Sequence, residues 1–129
     1  MNAAVMPPTI APPAANYVHA MVSTAGSRLL HTSGVVPIRP DGTVPDALAD
    51  QASVVWANLT AIVAEAGMAM SDIVSVTTYV IAGQALPDVM AARDAALAGH
   101  RAASTLLVVP ELARAEWKLE ISLVAASAT

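Results

Sequence analysis

The sequence predicts an α+β domain, a mixed sheet with two long helices on one of its faces. Three observations carry this. Residues 47–66 repeat their apolar side chains at helical spacing, and residues 86–98 are framed by Pro87 near the start and Gly99 just past the end. The other apolar segments are short and either alternate or are rich in β-branched residues. Strands joined through helices imply parallel crossovers, while adjacent strands at either end of the chain imply antiparallel hairpins, so both pairings are expected in one sheet. Two helices suffice to cover only one face. The other face must then be covered by something outside the chain, and a second copy is the simplest supplier.

In order, residues 1–13 are rich in Pro and Ala, lack the donors for a ladder, and are expected to lie as an extended arm on a single domain of residues 1–129. Residues 17–23 and 29–33 surround Ala25-Gly26-Ser27 and read as a hairpin. Gly34 ends the second of these strands, either for a sharp turn or for a close backbone approach. Arg39-Pro40-Asp41-Gly42 places Pro and Gly where a type I turn wants them. In residues 47–66, Leu48, Ala52, Val55, Leu59, Ile62, Val63 and Ala66 share a face, Asp46 is the expected N-cap, and Gly67 stands where a left-handed C-terminal residue belongs. Residues 73–81 form a strand by propensity. After the second helix, residues 104–109 read as a buried strand, 110–116 as a charged connection, and 117–124 as a strand that alternates. There Trp117, Leu119, Ile121 and Leu123 share one face, and Lys118, Glu120 and Ser122 the other. Glu120 is either a solvated strand carboxylate or a group aimed into a cleft.

Composition narrows the function. The chain is 56% hydrophobic and 12% charged, where soluble domains carry roughly 25% charged residues. That leaves little polar surface for a monomer and points to an oligomer, or else to an alanine-rich compositional bias. Net charge is −4 and the six Lys and Arg are scattered, so a nucleic-acid backbone finds no basic patch and ribonuclease chemistry has no support in the charge pattern. There is no cysteine, and His19, His31 and His100 have no close metal-ligand spacing. No metal or cofactor is expected. Neither a secretory leader nor a run of the ~20 apolar residues that spans a bilayer is present, so a cytoplasmic protein without membrane contact is the expectation. Ser33 lacks a His and Asp set to make it a nucleophile.

Several segments together carry a resemblance. Tyr17 after Pro-rich sequence, Leu30-His31-Thr32-Ser33-Gly34-Val35-Val36-Pro37, Ala66-Gly67 closing a long helix, Asp72-Ile73-Val74 and Leu119-Glu120-Ile121 resemble the Rid (YjgF) family, in order and over nearly the whole chain. The resemblance implies a chorismate-mutase-like protomer in a homotrimer, with ligand clefts between subunits. It also implies cofactor-independent hydrolysis of reactive enamines and imines, such as 2-aminoacrylate and 2-iminobutanoate, to keto acids and ammonia. By the same resemblance Glu120 orients the attacking water, and Tyr17, Ser33, Gly34 and Thr105 bind the small-molecule substrate.

Two positions depart from the family pattern. The arginine that pairs with the substrate carboxylate is replaced by Ala103, and the asparagine of the second helix by Met90. A bidentate guanidinium contact has no substitute at an alanine, and losing one partner of a desolvated pair costs ~2–5 kcal/mol. Arg101 takes over the contact if the strand begins early enough for residues two apart to share a face; Arg114 is a weaker candidate. Otherwise His100 and Arg101 cap the preceding helix. The sequence therefore supports two readings: a Rid-like deaminase with an altered anchor, and a non-catalytic homologue that binds a metabolite or partner in the same cleft.

Overall fold

The computed structural model describes residues 1–128. Six strands and two helices follow in the order β1 (Asn2–Val5), β2 (Ala20–Ser23), β3 (Arg28–His31), α1 (Leu48–Glu65), β4 (Ile73–Ile81), α2 (Leu86–Leu97), β5 (Ala103–Val109) and β6 (Leu119–Ser127), with one 3-10 turn at Met70–Asp72 before β4. The main sheet has the order β3-β6-β4-β5: β4 and β5 are parallel, and β6 runs antiparallel to both β3 and β4. The mixed sheet is as expected, and both helices pack on one of its faces. Val55, Leu59 and Val63 of α1 and Val89 of α2 meet Val76 and Val80 of β4 and Leu119, Ile121 and Leu123 of β6 in one buried cluster. This is the hydrophobic core, and each fully buried aliphatic side chain in it contributes about 1.5–3 kcal/mol.

α1 ends as its sequence requires. Gly67 takes φ +73°, its N–H donates to Ala64 O, and the Met68 N–H donates to Val63 O, the paired bonds of a Schellman motif whose Val63 and Met68 are both buried. The start differs from expectation. Ala47, not Asp46, is the N-cap, and no side chain caps the helix. Asp46 lies one residue too early, where its carbonyl accepts from Lys118 Nζ at 2.6 Å. α2 carries Pro87 in its first turn, and its left-handed step begins at Ala98, φ 49°, one residue before Gly99.

Both expected hairpins are replaced by other pairings. β2 pairs with β1, and β3 pairs with β6, which lets Leu30 pack against the main core. β1 forms because the prolines begin only at Pro7, leaving the donors of residues 2–5 intact. Asn2 Nδ2 then ties this ribbon to Ala126 O at 2.9 Å. At the other end β4 lies between β5 and β6, so those two strands are not paired. The last strand starts at Leu119, because Trp117 is still in a turn with its N–H on Arg114 O.

Among the described residues no helix covers the second face of the main sheet. Its exposed large apolar residues include Leu29 of β3, 59% exposed, and Leu107 of β5, 44% exposed, an arrangement that favours contact with another surface. Among the described residues no helix is long and apolar enough to cross a membrane.

Candidate functional site

β6 supplies the carboxylate. Leu119, Ile121 and Leu123 are buried under the helices, so the alternation of a strand turns Glu120, Ser122 and Val124 to the open face. In register across the sheet, Glu120 stands opposite Tyr79 and Tyr79 beside Leu107; Ser122 stands opposite Thr77 and Thr77 beside Thr105. A row of three hydroxyls thus crosses the open face next to Glu120. The half-buried Glu120 carboxylate has no hydrogen-bond or ion-pair partner among the described residues.

The continuation of β3 brings Ser33 and Gly34 to it. Thr32 N–H donates to Leu123 O at 3.0 Å, and Val35 exchanges both backbone bonds with Ile121, at 2.7 and 3.0 Å. Two residues, Ser33 and Gly34, therefore stand against the single residue Ser122, which is the count of a β-bulge. The Thr32 hydroxyl stabilises the bulge from both sides, accepting from Leu123 N–H at 3.0 Å and donating to Ser33 O at 2.7 Å. Gly34 is required here by a close approach. A β-carbon on it would lie 2.7 Å from Glu120 Cδ and 3.0 Å from Cγ, with a carboxylate oxygen closer still.

α1 holds both halves of this arrangement. Buried Gln51 donates from Nε2 to Glu116 O and Pro45 O, each at 2.8 Å, while its Oε1 accepts from Lys118 N–H at 2.8 Å, fixing the chain just before β6. Asn58, two helical turns on, donates to Ile38 O at 3.0 Å and Val36 O at 3.4 Å, fixing the chain just after the bulge. Neither residue was identified by apolar spacing, although both are polar side chains on the core-facing side of a helix, seven residues apart.

The other expected site residues are elsewhere in the same protomer. Val18, next to Tyr17, forms a parallel bridge with Ala103, so Tyr17 sits beside the start of β5; its hydroxyl accepts from Ala14 N–H at 3.2 Å. Thr105 is on β5. Arg101 is exposed and precedes the strand, which begins at Ala103, so the early strand start needed for Arg101 to share a face with Ala103 does not occur. Two strand spacings, about 10 Å, separate β5 from β6. Glu120, Ser33 and Gly34 are thus brought together, while Tyr17, Thr105 and Arg101 gather at the opposite edge of the sheet. Arg114 stacks over the Trp117 ring, 5.1 Å from its centroid. His100 donates from Nε2 to Ile73 O at 2.7 Å, tying the end of α2 to β4.

An open apolar groove of about 560 Å³ lies on the helix side, lined by Leu30, Ala61, Ile62, Glu65 and Ala66. It is remote from Glu120 and offers one carboxylate and no other polar side chain. Among the described residues no group of three or more His, Asp or Glu is placed to hold a metal ion.

Residues 9–127, including Tyr17, the bulge and Glu120, match the family model described as endoribonuclease L-PSP. The chain belongs to the Rid (YjgF) family. As a Rid protein it shares its fold with a Rid protein of unknown function, YyfB from Yersinia pestis, at 29% identity and TM-score 0.89 over 98% of each chain. It is also similar to the YjgF gene product of E. coli, with 31% identity and TM-score 0.71 over 94% of this chain and 92% of that one. E. coli TdcF, solved with bound serine, is 27% identical with TM-score 0.72 over 95% and 93%. No curated protein matches the sequence. Within this Rid fold, Ala103 opens β5 and Met90 stands half-buried in α2.

Proposed function

We propose that the chain is a cytoplasmic, cofactor-independent hydrolase of reactive imines or enamines, working in clefts between the subunits of a homotrimer. The observation that carries this is the Glu120 carboxylate, half-buried, without a partner among the described residues, and seated on Gly34 beside Ser33. In that position it takes a proton from a water molecule as the water attacks the C=N carbon, and returns it to the leaving nitrogen. Ser33 and the backbone of the bulge hold a polar atom of the substrate. The open apolar face supports self-association, and the separation of Tyr17 and Thr105 from Glu120 supports a site built by the two edges of neighbouring copies. Serine bound to TdcF supports a small metabolite as ligand.

A non-catalytic binding role is the second reading, favoured by Ala103. A ribonuclease, as the family description has it, is disfavoured by the scattered basic residues. Ammonia release from a panel of freshly generated imines and enamines, comparing wild type with Glu120→Gln, tests the proposal. Release above the spontaneous rate that Glu120→Gln abolishes is the expected result; background rates across the panel leave only the binding role.

A further inference from the structure

The charges around the open face are one-sided. Glu120 is the carboxylate there; the adjacent row holds Ser122 and Thr77 and ends two strands away at Thr105 of β5, Ser75 and Ala103 are paired in the row after it, and His31 of β3 shares the face farther along, opposite Val124. All six basic residues are among the described ones, and five are committed elsewhere. Arg28 donates to Ala66 O at the end of α1, and Arg39 donates to Thr43 within its own turn. Arg93 is buried against Asp94 and the Ser104 hydroxyl on the helix side. Arg114 covers Trp117, and Lys118 bonds Asp46 O. Arg101 alone of the six has no partner among the described residues, on the coil before β5. A ligand carboxylate placed on this face would meet the negative charge of Glu120 with nothing fixed to neutralise it, whereas a cation is attracted and hydroxyls accommodate neutral polar groups.

We propose that the substrates carry no carboxylate and are iminium ions of simple amines, an inference that rests on the hydrolase reading above. One iminium ion and one water give one aldehyde or ketone and one ammonium ion. The water oxygen forms the new bond to carbon, Glu120 relays a water proton to nitrogen, and the second water proton follows as the carbonyl forms. The C–N bond breaks with its electron pair leaving on ammonia, which departs protonated. No oxidant or reductant is consumed.

The test compares two imines that differ only in the carboxylate, propan-1-imine and 2-iminobutanoate, released by a flavin-dependent amine oxidase and an amino-acid oxidase in the presence of semicarbazide, which captures an imine faster than its carbonyl product, so that hydrolysis is read as a slower formation of semicarbazone. Wild type is expected to favour propan-1-imine by about 30-fold or more, the discrimination that one missing desolvated ion pair gives. Ala103→Arg, which adds a cation to the hydroxyl-lined face, is expected to gain hydrolysis of 2-iminobutanoate. Equal or faster hydrolysis of 2-iminobutanoate by wild type, lost in Arg101→Ala, overturns this proposal and leaves the hydrolase reading standing. Background rates with both imines in wild type and Ala103→Arg overturn the two together.

Discussion

The Glu120 carboxylate rests against the α-carbon of Gly34, across a bulge in which two residues of one strand oppose one of the next. The space that a β-carbon would need is occupied by the carboxyl group itself, so the position of the acid depends on there being no side chain at residue 34.

Gly34→Ala is therefore expected to displace the carboxylate while leaving the fold intact, because the obstructing atoms are the end of a side chain that can swing away. Stability measured by urea unfolding should change by less than about 1 kcal/mol. Imine hydrolysis should fall about 100-fold, the cost of a misplacement of roughly 1 Å in a catalytic group. An active Gly34→Ala variant would show that the contact is not needed for chemistry.

Gln51 makes three hydrogen bonds to backbone groups on both sides of Trp117 and at Pro45. Replacing it with Leu keeps the volume and strands those groups, so Gln51→Leu should destabilise the protein by about 2–4 kcal/mol. Urea unfolding of the variant, beside Asn58→Leu with its weaker contacts, checks both the size and the order of the two effects.

Ala98 holds a left-handed conformation, φ 49° and ψ 48°, at the end of α2. That costs an L-residue roughly 1–2 kcal/mol, partly offset in a comparison with glycine by the greater entropy glycine loses on folding. Ala98→Gly should raise stability by about 0.5–1 kcal/mol, read as a higher midpoint in thermal or urea unfolding with activity unchanged.

Hydrogen bonds from the Thr43 hydroxyl, then from the Thr43 backbone N–H, hold the exposed Asp41 carboxyl below its ordinary value of 3.8. A depressed folded-state value means that the stabilisation of this turn is fully present above pH 3.8 and is lost as pH falls through the lower folded value. The Thr43 amide resonance should titrate with a midpoint below 3.8, and Asp41→Asn should remove the transition. A midpoint at or above 3.8 would contradict the hydrogen-bonded turn.

Much of this architecture was legible where the determinants are local. The Gly67 stop of α1, the proline and left-handed residues that frame α2, and the alternation that places Glu120 opposite Leu119 and Ile121 all depend on neighbours in sequence. Pairing does not. β5 and β6 look like a hairpin because they are consecutive, but β4 separates them, and no short-range pattern distinguishes the two arrangements. The bulge at Ser33 and Gly34 is defined by register with Leu123, 91 residues from Thr32, so the glycine alone signals only that the backbone comes close to something. In the first strand, residues 2–5 have free donors that the proline content of the whole segment conceals. Gln51 and Asn58 were hidden for a different reason: a helix read by its apolar residues says nothing of polar ones that share the buried side.

β6 follows every other strand in the chain yet lies between β3 and β4. As the polypeptide emerges from the ribosome, β3 and the β4–β5 pair therefore wait without their common neighbour, and the core side of each stays open to water. Closure of the sheet, burial of α1 against it, and delivery of the acidic group to its seat come in a single late event. A nascent or prematurely terminated chain lacking this strand has no completed core, and is a natural client for chaperones and proteases.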